Sequence, residues 1–89
     1  MNARTKIISS VCVRLADICG RDPASLTLDS SIDDLKLDSL ALPQVLMAFE
    51  EEFGIVLREN EVISLLTARR VNDYVQVLDA AIHRTSPGA

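Results

Sequence analysis

Apolar residues in the first twenty positions of the chain recur with the period of an α-helix. Six of them fall on one helical face: Ile8, Val11, Cys12, Leu15, Ile18 and Cys19. This stripe predicts an amphipathic first helix. Gly20 can end that helix, and the Asp22-Pro23 step after it indicates a break in the helical pattern.

Residues 21–37, RDPASLTLDSSIDDLKL, lose the helical period without becoming polar. Five apolar residues recur through the segment: Leu26, Leu28, Ile32, Leu35 and Leu37. Connections of this length are uncommon in compact domains and are usually structured or functional. We therefore expect a loop that these side chains hold against the core, with a short turn at residues 23–26.

Helical spacing returns from about residue 39 to residue 53. The stripe expected to be buried consists of Leu42, Val45, Leu46, Phe49 and Phe53, and Gly54 is the expected left-handed cap. A short third helix is predicted near residues 60–66 with Asn60 as its N-cap. Thr67 is the expected cap of a last helix, whose stripe is Val71, Val75, Leu78 and Ile82.

These elements predict an all-α fold, a small bundle of three main helices plus one short helix with a long structured loop between helices 1 and 2. Residues 1–84 are expected to form the domain and residues 85–89 a disordered tail. The 89 residues suit one domain. The chain has no apolar run of about 20 residues and no N-terminal secretion signal, so a cytoplasmic location is expected.

Composition predicts the kind of core and the redox state of the two cysteines. The apolar share is 48%, yet Phe49, Phe53 and Tyr74 are the only aromatic residues, so the core should be aliphatic. Cys12 and Cys19 lie on the same predicted helix, about 10 Å apart at 1.5 Å per residue, which is beyond disulfide reach. Both are expected to be reduced and mostly buried.

Charge is distributed unevenly along the chain. The net charge is −4, but residues 22–57 hold eight acidic residues against Lys36 alone, whereas residues 1–21 carry a net +3. Phosphates would be repelled by the acidic middle third, so nucleic acid is not an expected partner. A protein partner with a basic surface fits better.

The segment KLDSLALP, residues 36–43, lies at the predicted start of the second helix. Asp38 is a good N-cap residue, and Ser39 would then occupy the first helical position under the positive end of the helix dipole. An anion attached to the Ser39 hydroxyl would meet unpaired backbone N–H donors there. From these two residues alone, an ordinary capped helix start is the better explanation, because Asp-Ser is a common pair.

Leu40 and Met47 lie seven residues apart and off the buried stripe, with Gln44 between them and Glu51 beyond. A helix that shows apolar residues on a second face indicates a docking surface. The full pattern joins L-K-L-D-S-L, residues 35–40, to FEEEFGI, residues 49–55, and NDYV, residues 72–75. With these motifs the chain strongly resembles the acyl carrier protein family over about residues 7–82.

The resemblance implies a carrier with no bond chemistry of its own. It implies that Ser39 bears 4′-phosphopantetheine, installed from coenzyme A by a Mg²⁺-dependent phosphopantetheinyl transferase, and that acyl groups are held on its thiol as thioesters. It also implies docking of acyl-loading and acyl-processing enzymes through five residues: Leu40, Gln44, Met47, Glu50 and Glu51. Growing chains would lie between helices 2 and 3, near four apolar residues: Leu46, Phe49, Leu57 and Leu65. We expect a monomer.

Departures from the family pattern indicate a specialised carrier in lipid or secondary-metabolite biosynthesis. Lys36 stands where the family very often has glycine, and Gln44 where fatty-acid carriers usually have glutamate. Ala41, Arg58, Arg69, Arg70 and Asn72 also depart from it. Pro43 cannot donate a backbone hydrogen bond, so we expect either a kinked first turn or a regular helix that begins near Leu42.

Two alternatives share this pattern. A freestanding aminoacyl or peptidyl carrier of a nonribosomal peptide pathway would have the same fold and arm, and the weak acidity around Leu40 and Gln44 suits it. A helical adaptor without the prosthetic group would dock through Leu40, Met47 and Glu51. An enzyme is not expected, since no paired base, activated nucleophile or metal set is present in the sequence.

Overall fold

The computed structural model describes residues 3–37 and 40–85, which fold into four helices. These are α1 (Ala3–Cys19), α2 (Ala41–Phe53), α3 (Glu59–Leu66) and α4 (Val71–Thr85). Two 3₁₀ turns, Pro23–Ser25 and Asp33–Leu35, lie in the connection between α1 and α2. The described residues contain no β-strand, only an isolated bridge between Ser31 and Arg70. The predicted all-α class is confirmed.

The core lies between α1 and α4, with α2 and α3 packed around it. The side chains in it are almost all aliphatic, and the buried residues of α1 and α4 are Ile7, Val11, Cys12, Leu15, Ala16, Val71, Tyr74, Val75, Leu78 and Ala81. The prediction for Ile18 was wrong, because its side chain is 37% exposed. The buried face is centred on Val11 and Leu15, and Ile7 at 1% exposure extends it toward the N-terminus.

The long loop is pinned to the junction between α3 and α4. Leu26, Ile32 and Leu35 are buried, as the sequence predicted. The backbone N–H of Ile32 donates to the carbonyl of Arg69 over 2.8 Å. In return, the N–H groups of Val71 and Asn72 donate to loop carbonyls, those of Ser30 and Leu28, over 3.0 and 2.9 Å. These two donors begin α4 and have no partner within that helix, so the loop satisfies them.

Two predicted caps were wrong. α3 begins at Glu59, so its N-cap position belongs to Arg58 and not to Asn60. Thr67 follows the end of α3, where its hydroxyl donates to the Ile63 carbonyl over 2.9 Å. The start of α4 is organised instead by Asp73, whose carboxylate accepts from the backbone N–H groups just before the helix.

The end of α4 is tied to α3 by an ion pair. Arg84 donates to the carboxylate of Glu61 over 2.6 Å and to the Val56 carbonyl over 3.2 Å. Glu61 also accepts from the backbone N–H of Arg58 over 2.8 Å. α4 runs through Thr85, the first residue of the predicted tail, and residues 86–89 lie outside the described part of the chain.

Both cysteines lie on α1 as free thiols. Cys12 is buried and Cys19 is half-buried, and this burial raises the pKa of both thiols, which Arg21 partly offsets at Cys19. A raised pKa keeps a thiol protonated and poorly nucleophilic at neutral pH. No helix in the described residues is long and apolar enough to cross a membrane.

The Glu61 carboxylate should make stability depend on pH. Burial raises its pKa, but hydrogen bonds from Arg58 and Arg84 outweigh burial and hold the pKa below its ordinary value. A lowered pKa in the folded state stabilises the fold above the unfolded pKa of about 4.3, and that stabilisation is lost as the pH falls through the folded pKa. Glu61→Gln should therefore lower the free energy of unfolding at pH 7 by on the order of 1 kcal/mol.

Urea denaturation at pH 7 and at pH 3.5 measures this effect. The two pH values lie on either side of the unfolded pKa of about 4.3. The difference between wild type and Glu61→Gln should shrink at the lower pH. The matched control is Glu59→Gln, an exposed residue two positions earlier on α3. An equal, pH-independent loss in both variants would contradict the assignment.

Candidate functional site

Asp38 and Ser39, the predicted centre of the site, lie outside the described residues. The structure describes the residues on either side of them. Leu37 is half-buried at the end of the loop, and Leu40 follows with its side chain 77% exposed. The residues on either side of the predicted site thus differ in burial.

α2 begins immediately after this passage. Ala41 is its first residue, and Leu40 occupies the N-cap position with φ −76° and ψ −23°, where its side chain provides no cap. The prediction that Asp38 caps the helix falls outside the described residues. The first backbone N–H groups of α2 have no acceptor within the helix, and the positive end of its dipole faces the chain that leads from Ser39.

Pro43 is the third residue of α2. Because the first four N–H groups of a helix lack intrahelical partners, a proline at this position removes no hydrogen bond. The start at Ala41 agrees to within one residue with the expected helix beginning near Leu42. Pro43 is therefore compatible with a helix that begins at Ala41.

Lys36 has a left-handed backbone, with φ +52° and ψ +47°. Its N–H donates to the Asp33 carbonyl over 3.1 Å, which closes the 3₁₀ turn before the site. Among the described residues it is the only non-glycine with positive φ. Glycine adopts this backbone conformation without steric cost, which gives a physical reason why the family very often has glycine at this position.

Four of the five predicted docking residues present side chains to solvent along α2: Leu40, Gln44, Met47 and Glu51. Met47 is 59% exposed. Glu50 differs, because its carboxylate accepts the backbone N–H of Leu57 over 2.8 Å and so holds the connection to α3. Sequence spacing could not reveal this role, which depends on the turn that Gly54 makes.

The neighbouring Glu52 is also engaged within the fold. Its carboxylate pairs with Arg14 over 3.1 Å and accepts a hydrogen bond from Ser10, both on α1. Of the three consecutive glutamates, Glu51 is therefore the one whose exposed carboxylate is not engaged with another element of the described structure. The acidic surface of α2 is narrower than the sequence suggested.

The predicted acyl pocket is packed by side chains. Leu46, Phe49 and Leu65 are buried, and Leu57 is half-buried. A cleft of about 170 Å³ lies beside them, between the loop, the start of α2 and the α3–α4 junction. Its lining residues are Ile32, Asp33, Lys36, Leu37, Leu42, Leu66, Ala68 and Tyr74. Tyr74 joins the two regions, since its ring packs edge-on against Phe49 with centroids 6.5 Å apart.

Comparison with known proteins identifies the family. The model of the phosphopantetheine attachment site matches residues 9–75, which include Ser39 and most of α1, α2 and α3. An acyl carrier protein of Rickettsia typhi is 35% identical over 77 residues, 85% of this chain and 90% of that protein. The chain belongs to the acyl carrier protein family. Its prosthetic group is 4′-phosphopantetheine, and members of the family generally act as carriers and not as enzymes.

Other relatives include carrier proteins of different kinds. An acyl carrier protein of Rhodococcus erythropolis is 26% identical over 89% of this chain and 88% of its own length. A meromycolate extension acyl carrier protein of Mycobacterium leprae is 27% identical over 83% of this chain and 65% of that protein. The fold of this carrier matches a crystal structure of the acyl carrier protein from Thermotoga maritima, with TM-score 0.72, 20% identity and coverage of 93% and 94% of the two chains.

The left-handed backbone of Lys36 predicts a stabilising substitution in this carrier. Lys36→Gly removes the contact between the Cβ and the carbonyl that a left-handed backbone imposes, so the free energy of unfolding should rise by about 1 kcal/mol. Urea denaturation measures the change. Lys36→Ala is the matched control, because it removes the charge but keeps the Cβ. An equal gain in both variants would assign the effect to charge and contradict the backbone explanation.

Proposed function

We propose that this chain carries acyl intermediates as thioesters on a 4′-phosphopantetheine attached to the Ser39 hydroxyl, and delivers them to enzymes of lipid or secondary-metabolite biosynthesis. The observation that carries the proposal is the position of the Asp38-Ser39-Leu40 sequence directly before α2, within a chain of this family. The carrier itself catalyses no bond change, and we place it in the cytoplasm.

The residues beside Ser39 suit a phosphodiester. The first-turn amides of α2, which have no acceptor within the helix, and the positive end of its dipole favour an anion. Lys36, whose side chain is exposed, adds a cation three residues before Ser39. 4′-Phosphopantetheine supplies a terminal thiol on a flexible arm. The protein would hold the phosphodiester end of that arm and leave the surrounding surface accessible to partner enzymes.

Partner enzymes are proposed to dock on the exposed face of α2. Leu40 and Met47 offer apolar contacts, while Gln44 and Glu51 flank them with one amide and one carboxylate. Glu50 contributes negative charge to this face from its place against Leu57. Basic surfaces on a phosphopantetheinyl transferase and on acyl-loading and acyl-processing enzymes would complement it. The reduced acidity supports a specialised set of partners.

A second candidate is an aminoacyl or peptidyl carrier, with the same arm on Ser39 but amino acids as cargo. The neutral Ala41 and Gln44 on the docking face are the observation that favours it. Offering acyl and aminoacyl donors with candidate loading enzymes to the modified protein distinguishes the two. The acyl pocket near Leu46, Phe49, Leu57 and Leu65 is proposed for the acyl carrier alone.

Attachment at Ser39 is tested by mass. Incubation with coenzyme A, Mg²⁺ and a broad-specificity phosphopantetheinyl transferase should add one phosphopantetheine to the intact protein. Ser39→Ala should gain no mass, whereas Ser9→Ala, which changes an exposed serine on α1, should be modified like wild type. A gain that survives Ser39→Ala would move the attachment elsewhere, and no gain in wild type would favour the unmodified adaptor.

The docking face is tested by transferase kinetics. Leu40→Ala should lower kcat/KM for modification about tenfold, as expected when an interface anchor worth more than about 1 kcal/mol is truncated. Val56→Ala is the matched control, because Val56 is an apolar residue with the same 77% exposure on the connection between α2 and α3. Equal losses in both variants would show that general surface hydrophobicity is being measured, not a face of α2.

A further inference from the structure

Tyr74 carries a polar group that the fold does not use. The residue is 0% exposed, and its hydroxyl has no hydrogen-bond partner in the described structure. Among described residues it is the one buried side-chain nitrogen or oxygen in this condition. A buried hydroxyl without an acceptor loses its hydration and gains nothing in return. The ring packs against Phe49 edge-on, and phenylalanine would make that contact without the cost.

The same side chain lines the cleft to which Leu37 and Leu42 also contribute. Most of the lining is apolar and comes from Ile32, Leu37, Leu42, Leu66 and Ala68, while Asp33 and Lys36 contribute polar side chains. The volume of about 170 Å³ is close to the ~150 Å³ of an apolar cavity that accepts benzene. Leu37 and Leu42 flank Ser39 along the chain, so a flexible arm that starts there can return to this cleft.

We propose that this cleft binds acyl chains that carry an oxygen acceptor, a carbonyl or a hydroxyl, and that the Tyr74 hydroxyl donates a hydrogen bond to it. The inference rests on the proposed function, because the chain must be presented from Ser39. The apolar lining receives the hydrocarbon part of the cargo, and the oxygen provides the acceptor that Tyr74 lacks. Saturated chains would fill the cleft but leave the hydroxyl unpaired.

The protonation state of Tyr74 suits a donor. Burial raises the pKa of its hydroxyl to about 12, so the group keeps its proton throughout the physiological range. No covalent step is involved. Tyr74 would act as a specificity-determining residue that prefers oxygenated over plain alkyl cargo.

The acceptor could also come from the amide groups of the arm itself, so the experiment separates the two sources. Wild type and Tyr74→Phe are prepared without the arm, with the arm alone, and with the arm bearing hexanoyl, 3-oxohexanoyl, 3-hydroxyhexanoyl or 5-oxohexanoyl groups. Intact mass verifies each loading. Thermal unfolding is measured for every form, together with the NMR signals of the tyrosine ring, which are unambiguous because the chain has one tyrosine.

In wild type, at least one oxygenated chain should raise Tm above the hexanoyl form by on the order of 4–8 °C, the effect of one net hydrogen bond in a domain of this size. The tyrosine ring signals should shift with that chain and not with hexanoyl. Tyr74→Phe should abolish the difference while keeping the response to hexanoyl. Without the arm, Tyr74→Phe should be as stable as wild type or more so.

Several outcomes would overturn the inference. Lower stability of Tyr74→Phe without the arm would mean that the hydroxyl has a partner within the protein. A full response with the arm alone would assign the acceptor to the arm. Equal responses to hexanoyl and to every oxygenated chain would remove the selectivity while leaving the proposed function intact. Failure of Ser39 to be modified would overturn both proposals, and mass alone distinguishes that case.

Discussion

The backbone N–H groups of Val71 and Asn72 donate to the carbonyls of Ser30 and Leu28, and this pairing holds the long loop against the first turn of α4. The exchange is mutual, because Ile32 donates back to Arg69. A helix start needs acceptors for its first amides, and an irregular loop needs partners for its carbonyls. Each element therefore supplies what the other lacks.

The position of the functional segment follows from this pairing. With Ile32 fixed and Leu35 buried, the chain must turn at Lys36 to reach the surface before α2. The 3₁₀ turn Asp33–Leu35 and the left-handed Lys36 make that turn within four residues. Pro43 then restricts where α2 can begin, since proline suits the first turn of a helix and not its interior. The start of α2, two residues after Ser39 in the sequence, is thus restricted from both sides.

Periodicity was enough to predict the helices, but not the partners at their ends. The stripes through Leu15, Phe49 and Leu78 face the core as expected, except at Ile18, and Gly20 and Gly54 adopt positive φ as helix ends. Asn60 and Thr67 are not helix N-caps, because capping depends on which segment lies opposite a helix end. At α4 the loop accepts the first backbone N–H groups, and Asp73 accepts those just before the helix. For the same reason no local pattern could reveal that Arg84 reaches Glu61.

Only part of the candidate site could be predicted from the sequence, for similar reasons. Exposure of Leu40 and Met47 follows from their spacing against the buried stripe, so it could be predicted. The engagement of Glu50 with Leu57 and of Glu52 with Arg14 could not, because each requires a contact between elements distant in sequence or separated by a turn. Charge along the sequence therefore overstated the acidic surface that α2 offers to a partner.

Two residues are of a type that their local environment does not favour, and both line the same cleft. Lys36 adopts a backbone conformation that favours glycine, and Tyr74 buries a hydroxyl where a phenylalanine would pack. Natural sequences are locally consistent in most places, and departures concentrate where function requires them. Neither departure stabilises the protein, and the two residues lie 38 positions apart in the sequence. The turn that leads the chain to α2 accounts for the backbone of Lys36. Packing alone does not account for the Tyr74 hydroxyl, and an acceptor on bound cargo is the explanation that we propose for it.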